Sequence, residues 1–152
     1  QSFAIVRNPW SKVVSRYLFA KQAVQRNLLK PDYANTNSLD AFIEERHKWI
    51  DKDLTWYRAI RGWHPQLDHV TDLQGNVKCD ILRLEHLNTE AVKYFNIEKM
   101  PRARNVTSIK ENYKDLYNSK TIQIIADWYK KDIEYWGFDF DSSATKNYWD
   151  SK

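Results

Sequence analysis

The sequence predicts an α/β fold rich in helix, and two stretches carry that reading. Near the start, the apolar run Phe3-Ala4-Ile5-Val6 passes through Arg7-Asn8-Pro9 into Trp10, Val13, Val14, Tyr17 and Leu18, which recur at helical spacing. Near the end, Ile122, Ile125, Tyr129, Ile133 and Trp136 mark one face of a long helix opened by Ser119 and stopped by Gly137. With 152 residues and 42% hydrophobic content, the chain is long enough for one core and short for two, so residues 1–152 are expected to form a single domain.

The elements follow in order. Residues 3–6 suit a strand covered on both faces. Asn8 is a good N-cap and Pro9 suits the first helical position, so a helix is expected from there to Asn27. A polar link over 30–37 leads to Ser38, which can cap a helix over 39–49 with Asp40 in its first turn. Residues 51–61 allow another turn or two of helix. Extended runs at 67–71 and 77–82 flank Asp72-Leu73-Gln74-Gly75-Asn76, which reads as a hairpin turn. Thr89 is placed to cap a helix ending at Phe95, and Ser119 opens the last one.

The first junction is where chemistry is expected. A helix starting at Pro9 turns its unpaired N–H groups toward the end of the preceding strand, an arrangement that favours anions. Asn8, Ser11, Lys12 and Ser15 share the helix face opposite the apolar stripe, which puts the Ser15 hydroxyl on the side that Arg7 can reach. A guanidinium fork plus a short hydroxyl fits a tetrahedral oxyanion better than a lone Lys does. The plain alternative is an Arg7 paired with a surface carboxylate and a Ser15 bonded back to its own helix.

Arg7-Asn8-Pro9 with Lys12, Ser15 and Tyr17 resembles the 3′-phosphate-binding motif of sulfotransferases, above all the carbohydrate sulfotransferases. The resemblance continues through Ser38-Leu39-Asp40-Ala41-Phe42-Ile43, His64-Pro65-Gln66, Arg83-Leu84-Glu85-His86-Leu87, Asn105-Val106-Thr107 and the closing stretch from Tyr129 to Phe138. It implies a P-loop-like sulfotransferase fold and a sulfuryl donor, 3′-phosphoadenosine 5′-phosphosulfate (PAPS), that leaves as adenosine 3′,5′-bisphosphate (PAP). Arg7 and Ser15 would hold the 3′-phosphate, with Lys12 beside them. Because a late basic loop in this family often closes over the nucleotide, Arg104, Thr107 and Lys110 are further contacts that it implies. The acceptor would be a hydroxyl, most naturally of a carbohydrate, and no metal is required.

The family's other phosphate loop, which holds the 5′-phosphosulfate upstream of this motif, is not found. The three glycines, Gly62, Gly75 and Gly137, are not followed by Lys-Ser or Lys-Thr, which also counts against a P-loop kinase. The expectation is therefore a C-terminal part of a sulfotransferase, truncated at its N-terminus, with an incomplete central parallel sheet and no turnover alone. An unpaired sheet edge would invite a second copy of the chain. The alternative is a nucleotide- or polyanion-binding module that keeps only the 3′-phosphate site.

Charge agrees with an anionic ligand. The net charge is +4, yet residues 1–31 carry Arg7, Lys12, Arg16, Lys21, Arg26 and Lys30 with no acid, which is +6 locally and −2 for the remainder. No zinc-finger spacing, RNA-binding aromatic signature or long basic run points to nucleic acid. Cys79 is the single cysteine, so an internal disulfide is excluded. No stretch reaches the apolar length of a membrane span, and a cytoplasmic location is expected. Most of the aromatic residues should pack, while Trp49, Trp56, Trp63 or Trp128 could stack an adenine or a sugar.

Catalytic residues are less legible. The resemblance implies a base, His or Glu, upstream of the 3′ motif; within this chain His64 and Glu85 are the candidates for taking the acceptor proton, and their plain roles are a loop-packing imidazole and a partner for Arg83. His64 and His69 have no third ligand in view and make a poor metal pair.

Overall fold

The structure, a computed structural model, describes residues 2–30, 32, 34–50, 62–101 and 112–151. They fall into two compact units: Gln1–Pro9, Pro65–Val106 and Tyr129–Lys152 in the first, and Trp10–His64 and Thr107–Trp128 in the second.

In the first unit, β1 (Phe3–Val6) and β2 (Asp80–Arg83) form a two-stranded parallel sheet, with Phe3 opposite Asp80 and Val6 opposite Arg83. The fold is therefore helix-rich α/β with a small parallel sheet. The Asp80 N–H donates to the Ser2 carbonyl at 3.0 Å. A parallel ladder then turns the backbone groups of Ala4 and Val6 toward β2 and those of Phe3 and Ile5 outward. The next outward residue, Arg7, is met by the amide of Gln66, which accepts from its N–H at 3.0 Å and donates to its carbonyl at 2.8 Å. On the far edge of β2, the Trp149 N–H donates to Ile81 at 2.9 Å and the Arg83 N–H donates to Glu90 Oε2 at 2.7 Å.

The strand expected to be covered on both faces is covered on one. Val6 is 1% exposed, whereas Phe3 and Ile5 are 46% and 44% exposed. Alternate residues of a strand face opposite sides, and in this small sheet only the Val6 side is packed into the buried core, while Phe3 leans on Tyr94 and Phe95.

The expected hairpin reduces to one antiparallel bridge, Thr71 with Val77, because Leu67–His69 is a turn of 3-10 helix rather than strand. Asp132 imposes that turn by accepting the N–H groups of Gln66 and Leu67 at 2.8 and 2.9 Å. The tip is as expected, with Gly75 at φ +82°. Within it the N–H of Asn76, then the Lys78 ammonium at 3.0 Å, hold the Asp72 carboxyl down at about 2. A depressed carboxyl contributes stability above its unfolded value of 3.8 and loses it as pH falls through about 2. A chemical-shift titration should place the Asp72 midpoint near the lower value; a midpoint at the ordinary one would mean that these contacts do not form.

A 3-10 turn, Leu84–His86, runs directly into α4 (Leu87–Phe95; the three helices before it in the chain are described with the second unit). That helix starts three residues earlier than a cap at Thr89 would place it, and the Thr89 hydroxyl, instead of capping it, donates back to the His86 carbonyl at 2.9 Å. The single long helix expected near the end is two: α5 (Ser119–Trp128) and α6 (Lys130–Trp136). The buried Tyr129 separates them with φ −105° and ψ 26°. Gly137 closes α6 as expected, at φ +66° with its N–H on Ile133 O.

The second unit holds α1 (Pro9–Gln25, its first residue counted with the other unit), α2 (Leu39–Glu44), α3 (His47–Ile50) and α5. Trp10, Val13, Val14, Tyr17 and Leu18 are buried, the stripe that the spacing predicts. Asn27, at φ +56°, ends α1 just beyond Gln25. The Ser38 hydroxyl caps α2 by accepting the Ala41 N–H at 3.1 Å. The helix expected over 39–49 breaks at Glu45 and Arg46, where the Glu45 carboxylate accepts the Asn35 N–H at 2.6 Å. Ser119 opens α5 as expected, and Asn118 caps it, its Oδ1 accepting from Thr121 N–H at 2.9 Å. The expectations for residues 51–61 lie outside the described residues. Among those described, no helix is long and apolar enough to cross a membrane.

Candidate functional site

The carboxyl ends of parallel strands are where α/β folds place ligands, and in the first unit both strands release chemistry there. Arg7 and Asn8 follow β1; Leu84, Glu85 and His86 follow β2. Asn8 is only 2% exposed, and its amide donates to the carbonyls of Asp139 and Ser142 at 2.8 and 2.7 Å. Its own N–H donates to Glu85 Oε1 at 2.7 Å. Glu85 thus sits beside the start of α1, where helix polarity favours a negative group. It is not the partner of Arg83, the plain role considered from sequence. Arg83 instead pairs with Glu90, lies 3.7 Å from the centroid of the Tyr148 ring and donates to the Ala144 carbonyl at 3.0 Å.

Arg7 is half-buried and its backbone is clamped by Gln66, whose own N–H is held by Asp132. The chain leaving β1 therefore has its direction fixed at Arg7 by Gln66 and at Asn8 by three further bonds. Neither Gln66 nor Asp132 was singled out from sequence as site-forming; Gln66 stood only within the His64-Pro65-Gln66 resemblance.

In the second unit, Ser15 lies half-buried on α1. Among the described residues nothing hydrogen-bonds its hydroxyl, so the return bond to its own helix is not made. The Lys12 ammonium donates to the His64 carbonyl at 3.2 Å, which brings two of the expected residues together through backbone rather than imidazole. Arg16 lies over the Trp63 ring at 6.0 Å and against Gly62, where a Cβ would overlap its guanidinium.

The stacking candidates that can be placed are used in packing. Trp63 is 2% exposed and packs on Phe42, with ring centroids 5.3 Å apart. Trp128 carries the Arg46 guanidinium at 4.9 Å and the edge of His47, and its indole N–H donates to the Trp63 carbonyl. Burial, opposed by Glu44, lowers the Arg46 pKa below its ordinary value. The side chain of Trp49, all of Trp56, and the loop residues Arg104, Thr107 and Lys110 lie outside the described residues.

Glu85 belongs to the first unit and His64 to the second. Burial, then the Asp80 charge, push the Cys79 thiol up, away from the thiolate form that makes a nucleophile. Among the described residues, no group of His, Cys, Asp and Glu is placed to hold a metal ion. No family model matches the chain, and comparison with curated proteins and with solved structures likewise finds no match.

Proposed function

We propose that this chain binds the 3′-phosphate end of PAPS as part of a sulfotransferase with a P-loop-like fold, which transfers a sulfuryl group to a carbohydrate hydroxyl and releases PAP. What supports the reading most is one local arrangement: a strand in a parallel pair delivers Arg7 directly to the start of α1, and the helix carries the hydroxyl of Ser15, which nothing hydrogen-bonds among the described residues. The resemblance of Arg7-Asn8-Pro9 through Ser15 to the 3′-phosphate motif gives that arrangement its ligand. Lys12 and the acid-free charge of residues 1–31 add attraction for a polyanionic nucleotide. In this reading Arg7 and Ser15 bind and orient the donor, and the acceptor proton is assigned to no residue of this chain; Glu85 accepts a hydrogen bond from Asn8 instead.

The test is binding rather than turnover. By calorimetry, adenosine 3′,5′-bisphosphate should bind more tightly than adenosine 5′-monophosphate, because it alone presents a 3′-phosphate. Arg7→Ala should remove about 1.5–3 kcal/mol of that affinity, the scale of hydrogen bonds to a charged group. Equal affinities for the two nucleotides would defeat the reading. Binding of the bisphosphate no tighter than inorganic pyrophosphate would favour a general polyanion-binding module instead.

A further inference from the structure

Beyond nucleotide binding, the geometry points to a nucleophilic hydroxyl in the first unit: Ser143, hydrogen-bonded through Oγ to His86 Nε2 at 2.8 Å, as a site that accepts an acyl group from an ester. The distance is within the reach that general-base activation of a hydroxyl requires. In the tautomer protonated at Nδ1, Nε2 accepts the hydroxyl hydrogen and leaves an oxygen lone pair for attack.

Both partners are fixed by contacts that owe nothing to each other. On one side of Ser143, the Ser142 carbonyl is held by the buried Asn8 amide at 2.7 Å, and the Ser142 hydroxyl accepts the Asp139 N–H at 3.1 Å. On the other side, Ala144 is 0% exposed and its carbonyl accepts from Arg83. His86 ends the turn that follows β2, and its carbonyl is held by Thr89. A hydroxyl and a base positioned by independent supports keep their geometry without cost at the moment of reaction. Ser143 is half-buried and His86 exposed, so an ester can approach.

The pair lies past the carboxyl end of β2, the ligand side of a parallel sheet. α4 begins at the next residue, and no side chain caps it. Its first N–H, that of Leu87, is taken by the Leu84 carbonyl, which ties His86 into a continuous turn and fixes its backbone beside Ser143.

The step balances as follows in atoms. Ser143 Oγ bonds to the ester carbonyl carbon while its proton passes to His86 Nε2. The ester C–O bond breaks, and the departing oxygen leaves as phenolate or takes the proton from the imidazolium. Water then attacks the acyl carbon, releasing the carboxylic acid and restoring Ser143.

The experiment treats the full chain with a small excess of 4-nitrophenyl acetate and locates the acetyl group by peptide mass spectrometry. Acetylation at Ser143 should exceed that at Ser142, Ser151 or Ser2, disappear in Ser143→Ala, and fall about a hundred-fold in rate in His86→Gln, the general-base scale. His86→Gln keeps a side chain able to hydrogen-bond Ser143, so far-UV circular dichroism should match the wild type and assign the loss to the imidazole. Labelling of Ser143 no faster than of the other serines, or at an unchanged rate in His86→Gln, would overturn the proposal. Neither result bears on the affinity for adenosine 3′,5′-bisphosphate, which is measured separately.

Discussion

Asp132→Ala is expected to destabilise the protein by about 4 kcal/mol, because it strands two backbone donors that the carboxylate serves, each worth about 1–3 kcal/mol when left unpaired. Asp132 is 0% exposed and accepts from the N–H groups of Gln66 and Leu67 and, at 3.2 Å, from the Gln66 side chain. At this chain length the loss should lower the melting temperature by roughly 10 °C. Asp132→Asn keeps one acceptor oxygen while turning an NH2 group toward a donor, so its cost should fall between wild type and Ala. Urea denaturation that showed Ala costing under about 1 kcal/mol would mean that the 3-10 turn at Leu67–His69 holds itself. The same variant frees Gln66 from one of its anchors, so the bisphosphate binding proposed for Arg7 is expected to weaken as well, even where the protein remains folded.

Glu90→Ala should cost about 3 kcal/mol, the scale for breaking a buried ion pair from one side. Glu90 is 6% exposed and receives both the N–H and the Nε–H of Arg83, so its removal leaves β2 with an unpaired edge donor and a guanidinium with less support. Arg83 keeps the Ala144 carbonyl and the Tyr148 ring, which limits the damage. Glu90→Gln retains an acceptor for one of the two donors and should recover part of the loss. Equal midpoints for wild type and Glu90→Ala in denaturant would show that those two remaining contacts suffice for Arg83.

What the sequence made legible is local in origin. The change of period at Arg7-Asn8-Pro9 marks the passage from β1 to α1, Ser38 marks the start of α2, and Gly137 marks the end of α6 because a positive φ is needed there. The break at Tyr129 was hidden because the apolar stripe of α5 and α6 runs through it with unbroken helical spacing. The exposed side of β1 was hidden for a related reason: four apolar residues in a row give no alternation from which one covered face could be told from two.

The candidate site divides in the same way. Arg7 and Ser15 stand out through spacing and through a resemblance. Gln66, Asp132, His86 and Ser143 act through partners far along the chain, and no periodicity records such pairings. Glu85 was noticed for its type, yet its partner, the backbone N–H of Asn8, carries no sequence signal at all.

That distance along the chain governs when the junction between β1 and α1 can form. Gln66 lies 59 positions beyond Arg7, and Glu85, Asp139 and Ser142 lie 77, 131 and 134 positions beyond Asn8. Each bond must close a long loop before it returns any stability, and folds dominated by such pairings form slowly. During synthesis, Arg7 and Asn8 leave the ribosome well before residue 142 and wait for it before their last partners arrive. The junction is thus completed only after most of the residues that follow it have been made, and until then β1 lacks the contacts that cover it in the fold.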